Sequence, residues 1–129
     1  MFIPKIDHIS FRVREGKIAL AVSFFSMLGW ELVNNRNPKW ESGQARFMIH
    51  PDGPENTYVQ LTEETLEVAG VGSAFHLAFP VPDPSELQSR MFAWCVGHSV
   101  GYEKEDVGDG KTMVLISDVF YGAFEIIPL

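Results

Sequence analysis

From Ile6 to Val13 the chain alternates between two chemistries. Ile9, Phe11 and Val13 hold one parity, and His8, Ser10 and Arg12 hold the other. A period of two puts each set on its own face of a β-strand. From Lys17 the period changes. Leu20, Phe24, Met27 and Leu28 recur three and four apart, which is the spacing of one helix face, so Lys17–Leu28 is predicted to be a helix closed by Gly29. Trp30–Asn34, Gln44–His50 and Thr57–Thr62 are predicted strands. Pro51-Asp52-Gly53-Pro54 makes a turn between the last two.

The same succession then returns. In Ala74–Val81, Phe75, Leu77, Phe79 and Val81 oppose His76, Ala78 and Pro80. Asp83-Pro84-Ser85-Glu86 has the form of a helix start: a capping Asp, Pro at the first position and Glu three after the cap. Leu87, Met91, Trp94 and Cys95 form the predicted buried face of that helix, and Gly97 its end. A short strand is expected at Val100–Lys104 and a tight turn at Gly108-Asp109-Gly110. The last two predicted strands are Lys111–Ile116 and Ala123–Ile127.

The two halves also match residue by residue. His8-Ile9-Ser10-Phe11-Arg12-Val13 returns 68 positions later as His76-Leu77-Ala78-Phe79-Pro80-Val81, and Leu28-Gly29 returns at the same offset as Val96-Gly97. Tyr58-Val59-Gln60-Leu61 resembles Ala123-Phe124-Glu125-Ile126, 65 positions on. Ordered matches at nearly constant spacing read as two copies of one unit. The expected fold is α+β: one domain spanning 1–129, built from βαβββ modules 1–62 and 74–129. The linker 63–73 contains Gly70 and Gly72. The paired modules are expected to form a curved mixed sheet with the helices behind it. A chain of 129 residues has room for one such domain.

Charge removes some functions from consideration. Ten Lys and Arg against 17 Asp and Glu give a net charge of −7, with no basic run. This argues against a nucleic-acid partner, which needs cations for its phosphates. No stretch approaches the roughly 18 apolar residues of a membrane span, and the amino terminus lacks a secretory leader pattern, so a cytoplasmic location is expected. The single cysteine, Cys95, excludes an intramolecular disulfide and a cysteine-only metal site. Its place on an apolar helix face marks it as inert core.

Chemistry concentrates on the faces opposite the apolar ones. There His8, Gln60, His76 and Glu125 occupy corresponding positions of the two copies. Taken singly, each reads as a solvated strand residue. Taken jointly, two imidazoles and a carboxylate are the donor set of many open metal sites. Arg12 shares the face of His8 and can grip a substrate carboxylate or phosphate, or pair at the surface. The face taken by Arg46, Met48 and His50 is left open.

Here the sequence resembles the vicinal oxygen chelate superfamily, which includes glyoxalases, epimerases, extradiol dioxygenases and bleomycin resistance proteins. The resemblance is carried by Ile6-Asp7-His8-Ile9, by Ser23-Phe24-Phe25-Ser26-Met27-Leu28-Gly29-Trp30, by His76-Leu77-Ala78-Phe79 and by Ala123-Phe124-Glu125-Ile126. It implies metal positions at His8, Gln60, His76 and Glu125, holding a divalent ion such as zinc, nickel, cobalt, manganese or iron. A side-chain ligand at Gln60 is similar to the glyoxalase and methylmalonyl-CoA epimerase pattern. It implies a metal-dependent lyase or isomerase that chelates a small substrate through vicinal oxygens and stabilises an enediolate during proton transfer. Glu125 is then the first candidate base, and Glu41 a weaker second one. Two alternatives stand beside this: an extradiol-type dioxygenase on His8, His76 and Glu125, with His50 or His98 as further acid–base, and a non-catalytic binding protein using Trp30, Trp40, Tyr102 and Tyr121. The resemblance also implies a homodimer.

Overall fold

The structure is a computed structural model and describes residues 6–33, 45–50, 57–64 and 76–129. The chain divides into two compact units, Met1–Thr65 and Leu66–Leu129.

In unit 1 the order is β1 (His8–Arg14), α1 (Ile18–Met27), β2 (Glu31–Val33), β3 (Ala45–Ile49) and β4 (Tyr58–Glu64). The sheet order is β1-β4-β3-β2. β1 and β4 run parallel, while β3 is antiparallel to both β4 and β2. In unit 2, β5 (His76–Val81), α2 (Pro84–Gly97), β6 (Glu103–Gly108), β7 (Lys111–Leu115) and β8 (Ala123–Pro128) repeat the plan as β5-β8-β7-β6, with β5 parallel to β8. The result is two four-stranded mixed sheets, each with one helix, in an α+β fold. β4 continues to Glu64, so Glu63 and Glu64, expected in the linker, are strand residues instead. The parallel pairing with Arg14 extends the ladder to that point. Gly70 and Gly72 lie outside the described residues.

The apolar parity of each sheet packs on its helix. Phe11, Val13, Met48, Val59 and Leu61 are buried with Ala21, Phe24 and Phe25 of α1. Phe25 meets Phe11, Phe24 and Trp30, each in an edge-on ring contact. The helix turns Ala21, Phe24 and Phe25 inward, whereas Leu20, Met27 and Leu28 are only half-buried. Ile9, on the same face of β1 as Phe11 and Val13, keeps 43% exposure. In unit 2, Met91, Trp94 and Cys95 of α2 pack with Val114, Phe124 and Ile126. The expected cap is present: Asp83 Oδ1 accepts from the Glu86 amide at 3.1 Å. β6 starts three residues later than expected. It is a fully exposed edge carrying Glu103, Lys104, Glu105 and Asp106, with an irregularity between Asp106 and Gly108. Charges and a bulge discourage further pairing at such an edge.

The helix ends show how the two copies diverged. After α1 the left-handed residue is Gly29 at φ +94°. After α2, Gly97 is still helical, and the left-handed residue is Ser99 at φ +56°. The helix ends at Gly97 as expected, but the left-handed position falls two residues farther on. A side chain in this conformation is strained by about 1–2 kcal/mol. Gly29→Ala should lower stability by about that amount in urea denaturation, and Ser99→Gly should raise it by about 1 kcal/mol. An unchanged midpoint in both variants would contradict the account.

Candidate functional site

Strand register decides which polar side chains are neighbours. In unit 1 the parallel ladder sets His8 against Tyr58, Ser10 against Gln60 and Arg12 against Thr62. Paired residues of a parallel ladder project to the same side, so His8, Ser10, Arg12, Tyr58, Gln60 and Thr62 share the face away from α1. In unit 2, His76 faces Ala123 and Ala78 faces Glu125. The offsets of 68 and 65 residues thus carry one ladder onto the other. His8 stands one step diagonally from Gln60, as His76 does from Glu125. Each unit therefore presents one imidazole and one oxygen donor on a single face in the same relation. His8 and His76 are exposed, and Gln60 and Glu125 half-buried.

β3 settles the parity left open above. Arg46 pairs with Leu61 and Met48 with Val59, so both lie on the helix side. His50 follows them: its ring meets Trp30 at 5.6 Å, and its Nε2 would stand 3.5 Å from a side chain placed at Gly29. Phe47, paired with Gln60, faces the donors instead. In unit 2 the corresponding neighbour of Glu125 is Met113.

The His8 ring is held from two sides. Its Nδ1 lies 2.9 Å from Asp7 Oδ2, and Phe47 makes an edge-on contact at 5.7 Å. With Nδ1–H donating to the carboxylate, Nε2 is the nitrogen left for a ligand. The sequence reading gave Asp7 no role, although Ile6-Asp7-His8-Ile9 contained the signal. Carboxylate partners of ligating imidazoles commonly contribute 10–100-fold to metal affinity. Asp7→Asn should weaken divalent metal binding by about 10-fold in calorimetric titration. Equal affinities would show that this contact has no part in the site.

Several other expectations change with the structure. His98 caps α2: its ring stacks on Trp94 at 4.4 Å, and Nδ1 lies 2.9 Å from the Trp94 carbonyl oxygen. Neither His50 nor His98 brings its ring to the two donors of its own unit. Trp30, Tyr102 and Tyr121 are half-buried rather than exposed. Trp30 packs on Phe25, and Tyr102 on Phe92. Glu41 and Trp40 lie outside the described residues. Cys95 is buried, and burial, followed by the negative charge of Asp118, pushes its thiol up to about 11. It stays protonated at neutral pH.

Two imidazole nitrogens, an amide oxygen and a carboxylate suit a divalent ion. Each unit holds only two of them, and among the described residues no three His, Cys, Asp or Glu side chains stand close enough together to hold a metal. Also among the described residues, no helix is long and apolar enough to cross a membrane.

No family model matches this chain, and no curated protein matches it by sequence. Solved structures do match in fold. One is a protein assigned to the glyoxalase family from Bacillus anthracis, 16% identical, with a TM-score of 0.63 over 99% of this chain and 97% of that one. A glyoxalase/dioxygenase from Nostoc punctiforme is 22% identical, with a TM-score of 0.59 over 96% and 90% of the two chains. A fosfomycin resistance protein from Listeria monocytogenes, complexed with Mn(II) and a dihydroxypropylphosphonic acid, is 15% identical, with a TM-score of 0.60 over 98% and 93%. At these identities the likeness is one of fold, an α+β chain of paired mixed sheets and helices.

Proposed function

We propose that this glyoxalase-like chain is a metal-dependent lyase or isomerase acting on a small substrate with two adjacent oxygens. The observation that carries the reading is the equivalent placement of His8 with Gln60 and of His76 with Glu125 in two repeated ladders. In this reading the two half-sets complete each other around one divalent cation. The completing half belongs to the same chain or to a partner in a homodimer.

His8 and His76 supply neutral nitrogen donors, Gln60 an uncharged oxygen and Glu125 the only formal charge of the set. A divalent cation held there would supply Lewis-acid polarisation of a substrate carbonyl. Glu125 takes the proton from the carbon next to that carbonyl and returns it after rearrangement. Glu125 pairs with Met113 in the ladder and follows the buried Phe124 in the chain, so the backbone that carries its carboxylate is firmly held. Asp7 keeps the His8 ring in one orientation. Arg12 binds an anionic group of the substrate. Glu41, as second base for an epimerase, belongs to this proposal on sequence grounds alone.

The ring-cleaving oxygenase alternative is less well supported, because His50 and His98 are engaged elsewhere and bring no acid–base group to the donor faces. The binding-protein alternative is weakened in the same way, since Trp30 and Tyr102 are committed to packing within their own units.

The test is elemental analysis of freshly purified protein, followed by a screen for deuterium exchange at carbons next to carbonyls. About one divalent ion per site and exchange abolished by Glu125→Gln are expected. Protein that takes up no added divalent ion would end this reading.

A further inference from the structure

The repeat preserves some positions of the donor faces and changes others. The two histidines are kept, and so is an oxygen donor at Gln60 and Glu125. The positions farther along the same faces are not. In unit 1 the register continues through Ser10 to the pair Arg12 and Thr62, and Ser10 Oγ lies 3.3 Å from Thr62 Oγ1. In unit 2 the same positions are Ala78 and the pair Pro80 and Ile127. The fold accepts apolar residues at all three places, so the ladder itself does not require a guanidinium and two hydroxyls there. Arg12 is exposed, and Ser10 and Thr62 are bonded to each other beside it.

We propose that Arg12, Ser10 and Thr62 form an oxyanion subsite for a carboxylate or phosphoryl group of the substrate, separate from the oxygens that chelate the cation. This rests on the metal-site reading above and narrows its substrate class. Arg12 lies four residues along β1 from His8, about 13 Å between Cα atoms, but only two from Ser10, which is set against Gln60, about 7 Å. An anionic group beside Arg12 is therefore several bonds away from oxygens chelated at His8 and Gln60. A 2-oxo acid whose own carboxylate chelates would leave the subsite unused. The fitting substrate has vicinal oxygens at one end and an anionic group several bonds away. The guanidinium supplies a planar pair of donors for such an oxyanion, and the hydroxyl pair, with one O–H spent in its mutual bond, adds one donor beside it.

Two hydroxamates of equal length test this, because a hydroxamate chelates through adjacent oxygens. Hexanohydroxamate ends in a methyl group, and adipic acid monohydroxamate ends in a carboxylate. Calorimetric titration of the full chain loaded with Zn(II) should show the carboxylate probe binding about 10–100-fold more tightly, as a charge-assisted bidentate contact implies. Arg12→Met should erase the difference without changing hexanohydroxamate affinity, and Arg12→Lys should restore part of it. The double variant Ser10→Ala/Thr62→Val, whose side chains resemble those of unit 2, should fold normally and reduce the difference. Equal affinities in the parent chain, or a preference that survives Arg12→Met, would overturn the subsite and leave the metal reading intact. Absence of zinc-dependent binding of either probe would overturn both.

Discussion

Alanine at His8 or at His76 is expected to abolish tight divalent metal binding, with a loss of at least about 100-fold. That exceeds the roughly 10–100-fold usual for an outer partner alone. The two variants should be nearly equal, because the ladders place the two imidazoles in the same relation to their oxygen donors. Gln60→Ala should cost less, since it removes a neutral amide rather than a nitrogen donor. Thermal unfolding gives an independent readout. A ligand at 100 times its Kd stabilises the native state by about 2.7 kcal/mol. For a domain of this size that is a rise in Tm on the order of 10 °C. The parent chain should show this metal-dependent shift and the histidine variants should not. A shift that persists in both variants would place the metal elsewhere.

The same pair of variants reports where the completing half resides. If donors from two chains meet in a homodimer, mixing His8→Ala with His76→Ala chains leaves one intact set in each mixed dimer. Half of the parental metal stoichiometry should then return in that species. If each set lies within one chain, every set carries a damaged histidine and nothing returns. Metal content of the isolated mixed species distinguishes the two.

Phe124→Ala should be the most damaging single change in unit 2, at about 3–5 kcal/mol. Its ring is fully buried, stacked on Phe79 at 5.9 Å and met edge-on by Phe120 at 5.1 Å. Removing it leaves a void among groups fixed by β5, β8 and the segment before β8, and the surroundings can relax only in part. Against a typical total stability of about 5–15 kcal/mol, a large share would be lost. Phe79→Ala should cost less, because that ring is only half-buried. Denaturant titration with constant m-value measures both. A cost below about 1.5 kcal/mol for Phe124→Ala would mean that the ring is not a central packing element. Glu125 follows Phe124 directly, so the same variant should also weaken metal binding.

Part of this core was readable in advance and part was not. Phe11, Val13, Phe24, Met91, Trp94, Phe124 and Ile126 follow from period alone. The segment that follows Ile116 matches no element predicted from the pattern. Yet Ile116, Val119 and Phe120 are all fully buried, in a turn where the Val119 and Phe120 amides both donate to the Ile116 carbonyl. Spacing of three and four was present there, but one turn is too short for periodicity to stand out. The first helix shows the converse. Leu20, Met27 and Leu28 fit a helical stripe, whereas tertiary packing selected Ala21, Phe24 and Phe25. Both solutions have the same period, and the sheet beneath chose between them.

For the site, the sequence by itself determined parity and repetition. His8 cannot share a side with Phe11, nor Glu125 with Phe124, because a strand turns successive side chains to opposite faces. Two matching segments place His76 where His8 stands. Neighbourhood across strands was a tertiary decision. Nothing within β1 or β4 alone specifies that Ser10 lies against Gln60, or that Phe47 rather than Met48 joins the donor side. Backbone hydrogen bonds are indifferent to side-chain identity, so register is selected by burial over the whole sheet. The Asp7–His8 contact and the Arg12–Thr62 pairing were settled at that level too, since each depends on where β1 begins and on the strand it lies against.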